Sequence, residues 1–156
     1  MSQLKSIQLA IELATRKRDA CAKAVAHALR TADFSKNQMA QLEGYAGDTD
    51  ARWMQGGGST PLSGELIHHH YSFMDRLQQA IALQRDVLTN TGLEVQQAQQ
   101  ALLQAEFRLA GLNHILKARQ AAHQVQQQRR EQRQTDEFAG MLHARTQAQS
   151  MTGEFR

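Results

Sequence analysis

Apolar residues return along the first third of this chain in alternating steps of three and four. The stepped positions run Leu4, Ile7, Ile11, Ala14, Arg18, Cys21, Val25, Ala28, Ala32, Ser35, Met39, Leu42 and Ala46, and only Arg18 and Ser35 are neither apolar nor small. Such a rhythm keeps one stripe of an α-helix turned toward a partner helix. It predicts a heptad seam with Leu4 at a and Ile7 at d, continuing through Thr49 to Trp53. Much of the filling is alanine, so the helices approach closely and bury less apolar area per layer than an Ile/Leu zipper would. Gly44 and Gly47 fall inside the run. Each glycine costs a helix about 1 kcal/mol, so the far end of this helix is expected to be its weakest part.

A second rhythm begins at Ile67. Every seventh residue from there is large and apolar: Ile67, Met74, Ile81, Leu88, Val95, Leu102, Leu109 and Leu116. The companion d positions are mixed, reading His70, Leu77, Gln84, Thr91, Ala98, Ala105 and Leu112. Large a residues beside smaller d residues suit an antiparallel pair, in which each a layer meets a d layer. Thr60 and Pro61 form a plausible start, as N-cap and first helical residue. After Leu116 the seam positions become Arg119, His123, Gln126 and Arg130. Good helix formers continue there, but no partner face is written into them.

The two rods are separated by one break. Six of the ten glycines and the single proline lie between Gly44 and Gly64. The chain is therefore expected to be all-α, a long antiparallel two-helix coiled-coil hairpin. Helix 1 is expected over 3–55, a Gly/Pro turn over 56–61 and helix 2 over 62–150, unpaired beyond about 115, with a disordered tail over 151–156. If Gly56-Gly57-Gly58 is the turn, the numbers of facing residues total about 116, and the hairpin is roughly 70 Å long at 1.5 Å per residue. That register sets Leu4 against Leu112 and Ile7 against Leu109. A register one heptad away, totalling about 123, also aligns a with d, so periodicity leaves both open.

Composition narrows the class further. The chain has 156 residues and is 41% hydrophobic but 5% aromatic, with 23 Ala and 22 Gln, which excludes a sheet protein rich in aromatic and β-branched residues. No apolar stretch approaches the roughly 18–20 residues needed to cross a bilayer. Glu12 and its polar neighbours interrupt any signal-peptide core. Cys21 is the one cysteine, which fits a reducing compartment and makes the cytosol the default location. At a d position it is expected to be buried and inert. The net charge of +3 is too small to imply nucleic acid.

Candidate chemistry is sparse. Consecutive residues on a helix point about 100° apart, so His68-His69-His70 cannot converge on one metal ion. His69 stands four residues after Glu65, a spacing that suits a surface hydrogen bond. Gly56-Gly57-Gly58-Ser59-Thr60 lacks the lysine and the preceding strand of a phosphate loop. Two helices enclose no water-excluding pocket in which a nucleophile and a base could be paired. The Arg/Gln-rich segment is too dilute for a basic leucine zipper. The expectation is a non-enzyme without cofactor, metal, nucleic acid or small-molecule substrate.

What remains is surface. In an antiparallel pair the g positions of both helices share one flank. Near the turn that flank carries Gln38 and Tyr45 with Leu66, Phe73 and Ala80, while the e flank carries Lys36, Glu43, Tyr71, Gln78 and Arg85. Aromatic residues beside a narrow seam either widen the core or form a docking strip.

The stretch Gln38-x-x-x-Leu42-x-x-Tyr45, the Gly-rich break with Arg52, and Tyr71-x-Phe73-Met74-x-x-Leu77-x-x-Ala80-Ile81-x-x-Gln84 resemble the FliJ family. A second block, Arg130-Glu131-Gln132 followed by Asp136-Glu137-Phe138-Ala139, resembles that family's charged C-terminal end. The family comprises small proteins of the bacterial flagellar type III export apparatus. The resemblance implies a fold similar to the central stalk of rotary ATP synthases and a chaperone-like role in flagellum biogenesis, protein transport and hence chemotaxis. It implies association with the hexameric export ATPase, promotion of its ring assembly, contact with the membrane export-gate protein and escort of export chaperones. The implied location is the cytoplasm, peripherally at the inner face of the membrane. The family's gate-binding strip matches Gln38, Leu42, Tyr45, Phe73, Leu77, Ala80 and Gln84, the flank reached above from heptads. Thr49 stands where an aromatic is often found. The unpaired end, with Lys117, Arg119, Arg129, Arg130 and Arg133, is expected to enter the ATPase ring. The alternatives are the equivalent stalk of a virulence secretion system and a structural coiled coil that self-associates through the same flank.

Overall fold

The computed structural model describes residues 2–56 and 63–154. They form two α-helices packed against each other as a hairpin, α1 over Ser2–Gly56 and α2 over Gly64–Glu154. Gly57 and Gly58 of the expected turn, and the Thr60-Pro61 start, lie outside the described residues. The described start of α2 is capped instead by Ser63. Its Oγ accepts the Leu66 N–H at 3.3 Å, and its carbonyl accepts the Ile67 N–H at 3.2 Å, satisfying donors that a first helical turn leaves open. Glu65 adds negative charge to that turn, where the helix dipole favours it. At the other side of the break, α1 runs through Gly44 and Gly47 without interruption.

Packing divides the chain into two units, Ala14–Phe107, and Met1–Leu13 with Arg108–Arg156. In the first, Met39, Ala46, Leu77 and Ile81 are buried as one cluster, with Leu42, Met74 and Leu88 packed on it. Ala14, Ala28, Ala32 and Ala105 are also buried, so alanine fills much of the seam as its spacing predicts. Of three observed cross-helix contacts in this unit, two set its register, and the third, Ser35–Gln84, totals 119 and fits either alignment. Trp53 stacks on His70 with ring centroids 3.8 Å apart. Gln84 Nε2 donates to the Ser35 carbonyl at 2.9 Å and to Gln38 Oε1 at 3.4 Å. The Trp53–His70 and Gln38–Gln84 numbers total 123 and 122, which selects the second of the two registers that periodicity allows.

The two buried hydroxyls of the seam are satisfied by their own helices. Ser35 Oγ donates to the Thr31 carbonyl at 3.0 Å, and Thr91 Oγ1 donates to the Leu88 carbonyl at 3.1 Å, so neither buried hydroxyl is left unpaired. Arg18 solves its seam position differently. Its guanidinium turns to Asp19, donating from Nε at 3.1 Å and Nη2 at 2.8 Å to the same carboxylate oxygen. The pair is well exposed, and such pairs add only about 0–1 kcal/mol; its service is to keep a charge out of the seam. Cys21 is half-buried rather than fully enclosed.

In the other unit Arg119 Nη1 donates to Gln3 Oε1 at 3.3 Å, again a pair totalling 122. The packed seam accordingly reaches further along α2 than the 116 register would take it. Leu112, Leu116 and His123 are half-buried, and every described residue after His123 is exposed. The expected loss of pairing at about 115 therefore moves to His123, because the adopted register lies one heptad away.

Candidate docking surfaces

Seven residues, Gln38, Leu42, Tyr45, Phe73, Leu77, Ala80 and Gln84, make up the strip expected from sequence, and all lie in the Ala14–Phe107 unit. They divide by environment. Leu77 belongs to the buried cluster and Leu42 packs on it, so these two form the floor of the strip. Ala80 and Gln84 are half-buried. Gln84 is held by Ser35 and Gln38, which closes the strip at one end with a polar pair. Tyr45 and Phe73 stand up from the floor, 62% and 48% exposed. Each ring therefore leaves about half or more of its surface in water. A side chain half or more in water contributes little to folding and is free to meet a partner.

The g flank carries more than Gln38, Tyr45, Phe73 and Ala80. Leu66 and Val87, at g like Phe73 and Ala80, are also exposed. Val87 is absent from the sequence-derived strip, although its i+7 spacing from Ala80 marks it. The Trp53–His70 stack was legible only in part: both residues sit on the seam, but they face one another only in the 123 register. Tyr71 meets His70 edge-on with centroids 5.8 Å apart and is itself exposed on the opposite flank.

Lys117, Arg119, Arg129, Arg130 and Arg133 are all exposed. They do not form one set. Arg119 is engaged with Gln3, and Lys117 lies with Leu4 and His123 along the same shallow groove. Arg129, Arg130 and Arg133 belong to the stretch of α2 where all described residues are exposed. That stretch is not featureless, contrary to the expectation that no partner face follows Leu116. Phe138, Met141 and Leu142 are exposed at i, i+3 and i+4 and border a depression with Arg145, so they share one side of the helix. The three apolar residues carry the helical spacing in the sequence, but they stand off the Leu116 heptad frame and are missed when that frame is extended.

Among the described residues no three His, Cys, Asp or Glu side chains are grouped to hold a metal ion. His70 is occupied by Trp53, and the His68 and His69 rings are tilted with centroids 6.3 Å apart. No described helix is long and apolar enough to cross a membrane. The chemistry on offer is that of surfaces: an aromatic strip on a small core, and a helical extension with a basic segment and an apolar patch. The family model for the flagellar FliJ protein matches residues 3–148. No curated protein matches the chain.

Proposed function

Because this chain belongs to the flagellar FliJ family, and so to the components of the flagellar export apparatus, we propose that it acts there as a soluble assembly factor in the cytoplasm. It associates with the hexameric export ATPase and promotes ring assembly, contacts the membrane export gate, and escorts export chaperones. The observation that carries this reading is the pair of exposed aromatics, Tyr45 and Phe73, on a thin two-helix core that cannot bury them. Gate contact falls to the strip of Gln38, Tyr45, Phe73, Ala80 and Gln84, with Leu42 and Leu77 as the floor that holds it in place. Tyr45 and Phe73 supply apolar contact area, and Gln38 supplies a polar edge.

Ring contact falls to the helical extension. A helix without an intramolecular partner stands on propensity alone, and a ring interior supplies the missing surface. Arg129, Arg130 and Arg133 would meet acidic groups there, with Lys117 and Arg119 at the base of the extension. The test is ATP hydrolysis by the purified export ATPase with full-length chain and with a chain ending after Gln124. The truncation keeps His123 and the Arg119–Gln3 contact, so the hairpin remains folded by circular dichroism. Stimulation and ring formation should disappear with the extension. Equal stimulation by both chains overturns the assignment of the extension, and stimulation by neither overturns the ATPase role.

A further inference from the structure

We propose that the Ala14–Phe107 hairpin is a two-register device, whose helices exchange the observed pairing for one shifted by a heptad. The heptad frame makes the exchange nearly degenerate. Sliding by seven residues still sets every a layer on a d layer. Cys21 trades Leu102 for Val95, Ser35 trades Leu88 for Ile81, and Leu42 trades Ile81 for Met74. Met39 gains by leaving Gln84 for Leu77, while Ala46 loses by leaving Leu77 for His70. Neither set is plainly better packed.

The contacts that choose between the two are few. Gln84 donates to Gln38, Arg119 donates to Gln3 and Trp53 stacks on His70, whereas the Gln84 bond to the Ser35 carbonyl totals 119 and is open to both registers. The selecting contacts are polar or aromatic, and polar groups at or beside the seam are what fixes register in coiled coils. The described ion pair, Arg18–Asp19, joins neighbours on one helix and is indifferent to sliding. The knobs that must pass one another are small, because Ala28, Ala32, Ala46 and Ala105 line the seam. At the helix ends, Gly56 and Gly64 make terminal turns easy to convert into connecting chain.

The consequence falls on the docking strip, and here the inference rests on the gate-contact reading. Tyr45 is carried by α1, whereas Phe73, Ala80 and Gln84 are carried by α2. A heptad slide moves one set past the other by about 10 Å at 1.5 Å per residue. A partner that grips both helices therefore binds one register better and shifts the population toward it.

Cys21 is a free native thiol and supplies the test. Three single-cysteine additions are oxidised in full-length protein: Leu102→Cys reports the observed register, Val95→Cys the shifted one, and Gln99→Cys, on the exposed side of α2, reports random opening. Leu102→Cys should cross-link fastest and Gln99→Cys slowest. Val95→Cys should fall between them and accelerate at least about tenfold, 1.4 kcal/mol of population shift, when Gln84→Ala and His70→Ala are added. No Val95→Cys cross-link in either background, or a rate equal to that of Gln99→Cys, overturns the two registers. The Leu102- and Val95-locked proteins are then titrated with the soluble part of the export-gate protein. A tenfold or larger difference in affinity is expected, and equal binding overturns register selection. Binding by neither locked form, nor by unmodified chain, overturns the docking strip, while the cross-linking pattern still decides the registers.

Discussion

Trp53 and His70 lie face to face across the hairpin, with ring centroids 3.8 Å apart and planes within 4° of parallel. The contact joins the last turns of α1 to the first turns of α2 at the end of the molecule where glycines weaken α1. Stacked aromatic pairs add about 0.5–1.5 kcal/mol beyond their area burial. His70→Ala should therefore lower the unfolding free energy measured by urea denaturation by an amount in that range. Trp53 is the one tryptophan, so its emission reports this end directly. Its change should precede the loss of helical circular dichroism, and coincident transitions would count against a weak tip.

The Tyr45→Ala, Phe73→Ala double variant separates docking from folding. Both rings are exposed, and exposed truncations usually change stability by less than about 0.5 kcal/mol. Interface hot spots, by contrast, cost about 2 kcal/mol or more when truncated. Affinity for the export gate should fall at least about tenfold while helicity and melting temperature hold. A collapse of helicity would reassign the pair to the core.

Leu77→Ala should behave in the opposite way. Leu77 is buried with Met39, Ala46 and Ile81, and Leu→Ala in a core costs about 2–5 kcal/mol. Chemical denaturation should show that loss, with gate binding reduced only as far as the tip unfolds. A stable Leu77→Ala protein with abolished binding would make Leu77 a contact residue instead of floor.

Gly44→Ala and Gly47→Ala should stabilise the protein. An added Cβ at either site meets no atom within 4 Å, and alanine is favoured over glycine by about 1 kcal/mol per helical site. Thermal melts should rise for each variant and nearly add for the pair. A lower melting temperature would show that α1 needs its glycines for a reason the folded chain does not contain.

Much of this architecture is legible in the residues. Eight large side chains at seven-residue intervals from Ile67 to Leu116 declare a helix with one seam, and the clustered glycines declare one reversal. The shared flank of Tyr45 and Phe73 is legible as well, since both take g positions in any register. Exposure is not. Leu77 and Phe73 are both apolar residues near the tip, yet one is floor and the other stands in solvent, because d positions point inward and g positions do so only where the seam is thin. The patch at Phe138, Met141 and Leu142 was hidden for a related reason: it follows helical spacing on a side of α2 that the earlier heptads do not mark.

Fold class, the direction of the hairpin and the shared g flank of Tyr45 and Phe73 follow from the residues alone, because these depend on periodicity and on one break. Tertiary structure alone decided the register. A heptad pattern repeats on sliding by seven, so apolar spacing assigns comparable layers to both alignments. What separates them is the reach of particular polar and aromatic groups: Gln84 to Gln38, Arg119 to Gln3, Trp53 to His70. Those contacts depend on three-dimensional distance between residues far apart in the chain, and they extend the packed seam to His123.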